Sequence, residues 1–290
     1  MLYQKMAAAT GALVLLMTVS AAREWKEEAR EKIQHVFSGD KTLDVDQVSG
    51  SIHVVGDGGT TIRVEGEKIL RASTKEALAR AKRDVTLDIN EKDGIAQLYV
   101  NGPSCLQQTR DHSRNGDSHG FHEQRGHDYD VEFNFTIHVP RETMLRLRTV
   151  NGAASAEGTR GAFDIQSVNG PVTMADAGGS GKVKTVNGAL TVAFRESPKA
   201  PSEFKTVNGR VEATFPANLA ADLRFKTLNG ATYSDFDVKP VGTAAEPGER
   251  RNGRFVYKAN RMSSVRVGAG GPELSFETVN GAITIRKGIN

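Results

Sequence analysis

Three lysines recur at one place in a repeated phrase. Lys184, Lys205 and Lys226 each stand three residues before an Asn-Gly pair, and Arg148 holds that place in a further copy. Alternate residues of a strand share a face. These cations would therefore form one column on a sheet, able to meet an anionic surface such as acidic glycan or phospholipid headgroups. Like charges on neighbouring strands repel, and the same column also suits a solvated face whose lysines resist sheet-to-sheet aggregation.

Two other groupings invite chemistry and supply less of it. The stretch from Pro103 to Asp128 carries Cys105, His112, His119, His122 and His127 among Gly, Ser, Asn, Asp and Arg, the composition of an exposed loop. Zinc centres use tight paired spacings of Cys and His. Here His119 and His122 form a single H-x2-H pair with no second cysteine, so no metal site is expected. Glu157, Asp176, Glu196, Glu212, Asp235 and Asp237 are scattered over turns and strand ends, and no spacing sets a general acid against a base. No G-x-S-x-G, H-E-x-x-H or phosphate-binding glycine loop occurs. A non-enzyme without cofactor is the expectation.

Composition sets the frame for these groups. The 290 residues carry a net charge of +3, with 38% apolar and 25% charged residues, a globular balance that demands neither nucleic acid nor membrane as partner. Thirty glycines and only 6% aromatics suit an all-β chain with many tight turns. Residues 1–22 read as a cleaved export signal: Lys5 precedes an apolar run from Met6 to about Val19, and Ser20-Ala21-Ala22 supplies small residues for cleavage. No other apolar run approaches spanning length, so no transmembrane segment is expected after cleavage. Cys105 is the only cysteine, so an exported chain must hold together without an internal disulfide.

The elements that would position the lysines are repeats. "LRLRTVNG", "FDIQSVNG", "GKVKTVNG", "SEFKTVNG", "LRFKTLNG" and "LSFETVNG" place asparagines at 151, 169, 187, 208, 229 and 280, with gaps of 18, 18, 21, 21 and 51 residues. Each copy reads as an alternating strand, a bend and a second alternating strand. Asn and Gly both tolerate the backbone of a sharp corner. The corners are Asn151-Gly152, Asn169-Gly170, Asn187-Gly188, Asn208-Gly209, Asn229-Gly230 and Asn280-Gly281. Recurrence at this period predicts a single-chain parallel β-solenoid of 18–21-residue coils, equivalent residues lying ~4.8 Å apart and the asparagines bonding in a ladder. Leu145, Leu147, Phe163, Ile165, Val183, Phe204, Leu223, Phe225, Leu274 and Phe276 would point inward. So would Thr149, Ser167, Thr185, Thr206, Thr227 and Thr278, whose hydroxyls can bond the turn backbone. The 51-residue gap predicts two to three further coils, with "RFVYKA" and "SVRVGA" as strands.

Before the repeats, Trp25, Ala29, Ile33 and Val36 recur at near-helical spacing, predicting a short helix over 24–37 that caps the coils. Ser73 and Glu76 form a capping box ahead of a second helix over 74–84. The chain then divides into the signal (1–22), a helix or cap (23–39), a β-rich part with the second helix and the loop 103–128 (40–140), the repeats with an insertion near 239–252 (141–286), and a tail (287–290).

The six [Ser/Thr]-[Val/Leu]-Asn-Gly units, with "LDVDQVSGSIHVVG" and "ALARAKRDVTLDI", resemble the bacterial putative-adhesin family of exported β-solenoid proteins, related to the toastrack domains of envelope-stress proteins. The resemblance spans roughly residues 40–286. It implies a periplasmic or cell-surface location and a non-catalytic role as an adhesin-like binding or scaffold module, with cell-surface glycan or an envelope protein as partner. A sensory or regulatory domain of an envelope-stress system, working through a membrane partner, is the alternative. A glycan-active β-helix enzyme stands third.

Overall fold

The computed structural model describes residues 25–103, 128–241, 249–251, 254–257 and 263–288. The amino-terminal part holds β1 (Glu27–Ser38), β2 (Thr42–Ser49), β3 (Ile52–Asp57), β4 (Thr61–Ala72), α1 (Lys75–Asp84), β5 (Thr86–Lys92), β6 (Ile95–Asn101) and β7 (Tyr129–Pro140). The first five repeats give β8 (Leu145–Asn151), β9 (Ala154–Glu157), β10 (Phe163–Asn169), β11 (Val172–Ala177), β12 (Gly181–Lys184), β13 (Leu190–Phe194), β14 (Ser202–Lys205), β15 (Val211–Phe215), β16 (Ala221–Asn229) and β17 (Thr232–Ser234). There follow β18 (Val238–Pro240), β19 (Glu249–Arg251), β20 (Arg254–Tyr257), β21 (Ser263–Val267), β22 (Glu273–Asn280) and β23 (Ile283–Lys287).

These strands make two mixed sheets. One has twelve strands in the order β1-β4-β7-β3-β9-β11-β13-β15-β23-β17-β20-β19, the other eleven in the order β18-β21-β16-β22-β14-β12-β10-β8-β2-β6-β5. Period-two alternation explains why each repeat contributes a strand to both. In β8, Leu145, Leu147 and Thr149 are buried while Arg146 and Arg148 are part-exposed, and the pattern returns in β10 and β16. The buried faces of the two sheets share one core. Aromatic rings bridge it: Phe194 stacks on Phe215 within its own sheet at 5.1 Å and meets Phe204 of the facing sheet edge-on at 5.9 Å. Phe276 lies between Phe204 and Phe225, 5.1 and 5.7 Å away. Offset and edge contacts at these separations add to the burial of each ring.

The expected single parallel β-solenoid is therefore overturned. The sheets are mixed, with antiparallel pairs at both ends: β1 with β4, β4 with β7 and β5 with β6 on one side, β16 with β21 and β17 with β20 on the other. Strand order also departs from chain order. The last repeat is inserted between earlier ones, β22 lying between β14 and β16 and β23 between β15 and β17. Repeat spacing identifies equivalent segments but leaves their order open. Among the described residues the 51-residue gap accordingly holds no further parallel coils: β20 and β21 are strands, yet both run antiparallel to their neighbours.

Only one helix is present among the described residues. The segment expected as a helix over 24–37 is the edge strand β1, paired along its length with β4. Residues 25, 29 and 33 are four apart, a spacing that a period of two satisfies as well as one of 3.6, and Ala29 and Ile33 lie on the more buried face. The second expected helix is α1. Its cap is Thr74 rather than Ser73, the Thr74 hydroxyl accepting a hydrogen bond from the Ala77 amide at 3.1 Å. No described helix is long and apolar enough to cross a membrane.

Candidate functional site

The corners are built from three columns that run across the strands. Innermost is the hydroxyl column. Ser167 donates to the Gly152 carbonyl (3.1 Å), Thr185 to Gly170 (2.9 Å), Thr206 to Gly188 (2.9 Å), Thr278 to Gly209 (2.9 Å) and Thr227 to Gly281 (3.1 Å). Each buried hydroxyl thus satisfies a corner carbonyl of the rung beside it. Thr149 is buried too, but among the described residues its hydroxyl has no hydrogen-bond partner, and neither has the side-chain amide of Gln47, its neighbour in register on β2.

The asparagine column lies at the surface. Asn169 donates to Asn151, Asn187 to Asn169, Asn208 to Asn187, Asn280 to Asn208 and Asn229 to Asn280, all through side-chain amides at 2.7–2.9 Å. The main chain at the next position is crowded. A Cβ on Gly188 would sit 2.2 Å from the Gly170 carbonyl oxygen, and one on Gly209 2.0 Å from that of Gly188. Glycine is required here by the close approach of successive corners.

The third column is the solvent-facing row three places before the asparagines. Across the sheet it reads Asp46, Arg148, Gln166, Lys184, Lys205, Glu277, Lys226. Lys205 and Lys226 are thus not on adjacent strands, as their order in the chain suggests. Glu277 stands between them and accepts from both ammonium groups, 3.2 and 2.8 Å away. The hydrogen bond from Lys226, reinforced by Lys205, holds the Glu277 carboxyl below its ordinary range. Lys184 pairs with Glu203 at 3.0 Å and Arg148 lies 3.7 Å from Asp44. Burial pushes the carboxyls of Asp44 and Asp46 upward, against the opposing pull of Arg148.

Between this row and the asparagines lies a row that the sequence had not singled out. The Val of the repeated phrase alternates onto the same outer face, so Val150, Val168, Val186 and Val207 line up beside Arg148, Gln166, Lys184 and Lys205. Together they wall a groove of about 400 Å³ across the outer face of the eleven-stranded sheet, with Asp46 and Gln47 at one end. Val168 and Val186 are 38% and 39% exposed, and Leu228 farther along is 65% exposed. The signal was present in the sequence: an apolar residue at every copy of a solvent-facing position.

The other candidates serve the frame. Asp176 and Glu196 share Arg160, 3.1 and 3.6 Å away, and Glu212 pairs with Arg286 at 2.6 Å. No group of three or more metal-binding side chains forms among the described residues. Cys105, His112, His119, His122 and His127 lie outside them, as do residues 1–22.

No family model and no curated protein matches the chain. Among solved structures, a putative cell adhesion protein from Clostridium sporogenes is similar at 10% identity and a TM-score of 0.41, covering 90% of this chain and 100% of that one. A putative lipid binding protein from Parabacteroides distasonis matches at 9% identity and 0.27 over 90% and 98%. A putative adhesin from Bacteroides fragilis matches at 12% and 0.25 over 89% and 97%. Nothing about activity or partner follows from likenesses of this size.

Proposed function

We propose that this is an exported, non-catalytic binding module of the cell envelope, which grips an elongated partner along the groove beside the asparagine ladder. The carrying observation is repetition: consecutive strands offer the same pair of contacts, an aliphatic one from Val150, Val168, Val186 and Val207 and a polar or cationic one from Arg148, Gln166, Lys184 and Lys205. A partner with acidic groups at regular intervals, such as an acidic glycan, would exchange the carboxylates of Glu203 and Glu277 for its own. Each exchange is weak, because solvent-exposed ion pairs contribute little individually. Several on one rigid face add up, since each contact after the first forms within the complex.

Polygalacturonate binding to the mature chain, followed by calorimetry at low and at physiological salt, tests this. Lys184→Gln with Lys205→Gln is expected to weaken binding and flatten its salt dependence, and Val168→Asp with Val186→Asp to abolish it. Binding by the unaltered chain that neither pair of substitutions changes would remove the groove from consideration. Failure of the unaltered chain to bind would remove the acidic glycan.

A further inference from the structure

We propose that Asn229-Gly230 is a site of spontaneous deamidation, set apart from the five equivalent pairs by its place at the end of the amide ladder. The inference stands apart from any ligand in the groove. It starts from a chemical liability. In an Asn-Gly pair the glycine nitrogen, once deprotonated, can attack the asparagine Cγ, because no Cβ on the following residue obstructs it. The new N–Cγ bond closes a succinimide ring as the Cγ–Nδ2 bond breaks and the nitrogen leaves as ammonia. Water then opens the ring at either carbonyl, giving aspartate or isoaspartate. The reaction needs only water and base, and it requires the glycine N–H to be free and the asparagine side chain to turn back on its own main chain.

Within the stack both requirements are blocked. The Gly152 amide donates to the Asn169 main-chain carbonyl, Gly170 to Asn187, Gly188 to Asn208, Gly209 to Asn280 and Gly281 to Asn229, at 3.0–3.1 Å. The side-chain carbonyls of Asn151, Asn169, Asn187, Asn208 and Asn280 each accept from the next amide in the ladder. Cyclisation at these five positions must wait for the corner to open, so its rate is reduced by the opening equilibrium.

Asn229 is the last rung. Its amide donates to Asn280 at 2.7 Å, but among the described residues no further asparagine donates to its side-chain carbonyl and the Gly230 amide has no backbone acceptor. Asn229, Gly230 and the adjoining Leu228 are all exposed, so water and base reach the pair directly. Asn101-Gly102 is a different case, with Gly102 buried against Val85.

The test is to hold the full chain at mildly alkaline pH, folded and in urea, and to follow each Asn-Gly peptide by mass spectrometry with chromatographic separation of the isoaspartyl form. In the folded chain Asn229 is expected to convert about tenfold or more faster than Asn151, Asn169, Asn187, Asn208 or Asn280, each of which must first open locally. In urea the six rates should converge. Asn229→Gln should remove the fast product and leave the rates at Asn151, Asn169, Asn187 and Asn208 unchanged, while Asn280, whose side-chain carbonyl accepts from the Asn229 amide, is the one position where a rise is expected. The proposal fails if any of the five keeps pace with Asn229 in the folded chain. It fails equally if folding slows Asn229 by the same factor as the rest.

Discussion

Thr149 and Thr185 occupy equivalent places two rungs apart, yet only the Thr185 hydroxyl finds a partner, the Gly170 carbonyl at 2.9 Å. Thr185→Val should therefore cost about 1 kcal/mol by denaturant unfolding, the usual net value of one internal hydrogen bond. Thr149→Val should change stability by less than about 0.5 kcal/mol or improve it, because a buried hydroxyl without a partner is itself unfavourable. Glu277 poses a charge question of the same kind. Glu277→Gln leaves Lys205 and Lys226 without their shared carboxylate, an expected loss of about 0.5–1 kcal/mol that shrinks with added salt. Its lowered carboxyl means that this contribution is full above the unfolded-state value and disappears as pH falls through the folded one. Asp44 and Asp46 have the opposite sign. Burial raises them, so their effect favours the fold at low pH and is lost as pH rises through the raised folded values. Asp46→Asn should flatten that acid-side slope in a thermal melt without lowering the melting temperature at neutral pH. The threonines and asparagines were legible in the sequence because each repeats in a fixed phrase. The Glu277 bridge was not, because residues 51 positions apart become neighbours only through pairing that spacing leaves undetermined.

At the scale of elements, the corner glycines are the most demanding positions. Gly209→Ala would drive a Cβ to 2.0 Å from a main-chain oxygen, which no side-chain movement relieves. A loss of about 3 kcal/mol or more in denaturant unfolding is expected, at the upper end of overpacking costs. Alternation within β8, β10, β14, β16 and β22 could be read directly, since their buried residues keep a strict period of two. β1 could not. Its apolar residues stand four apart among charges, and a helix and a half-buried edge strand fit that pattern equally. What decides the matter is β4, whose twelve residues offer a full-length partner. The Thr74 cap of α1 shows the ordinary one-residue uncertainty where two hydroxyl side chains precede a helix.

For the molecule as a whole, the informative feature is where the last repeat sits. β22 and β23 supply the contacts between β14 and β16 and between β15 and β17, and Phe276 touches aromatic rings of three other strands. A chain ending at residue 271 is therefore expected to lose cooperative unfolding, by circular dichroism and calorimetry, rather than merely to fray at one edge. That the chain is all-β could be inferred from composition and alternation, but its arrangement as two mixed sheets rather than one parallel solenoid could not. The order of strands could not, because equivalent phrases are interchangeable as pairing partners until the side chains between them are counted. A wedge placed so late in the chain also has a temporal meaning. Ribosomes deliver a chain from its amino end, so β14 to β17 are made before the two strands that lie between them. β22 and β23 must then enter between strands already made, and the two sheets close around the core only once they have.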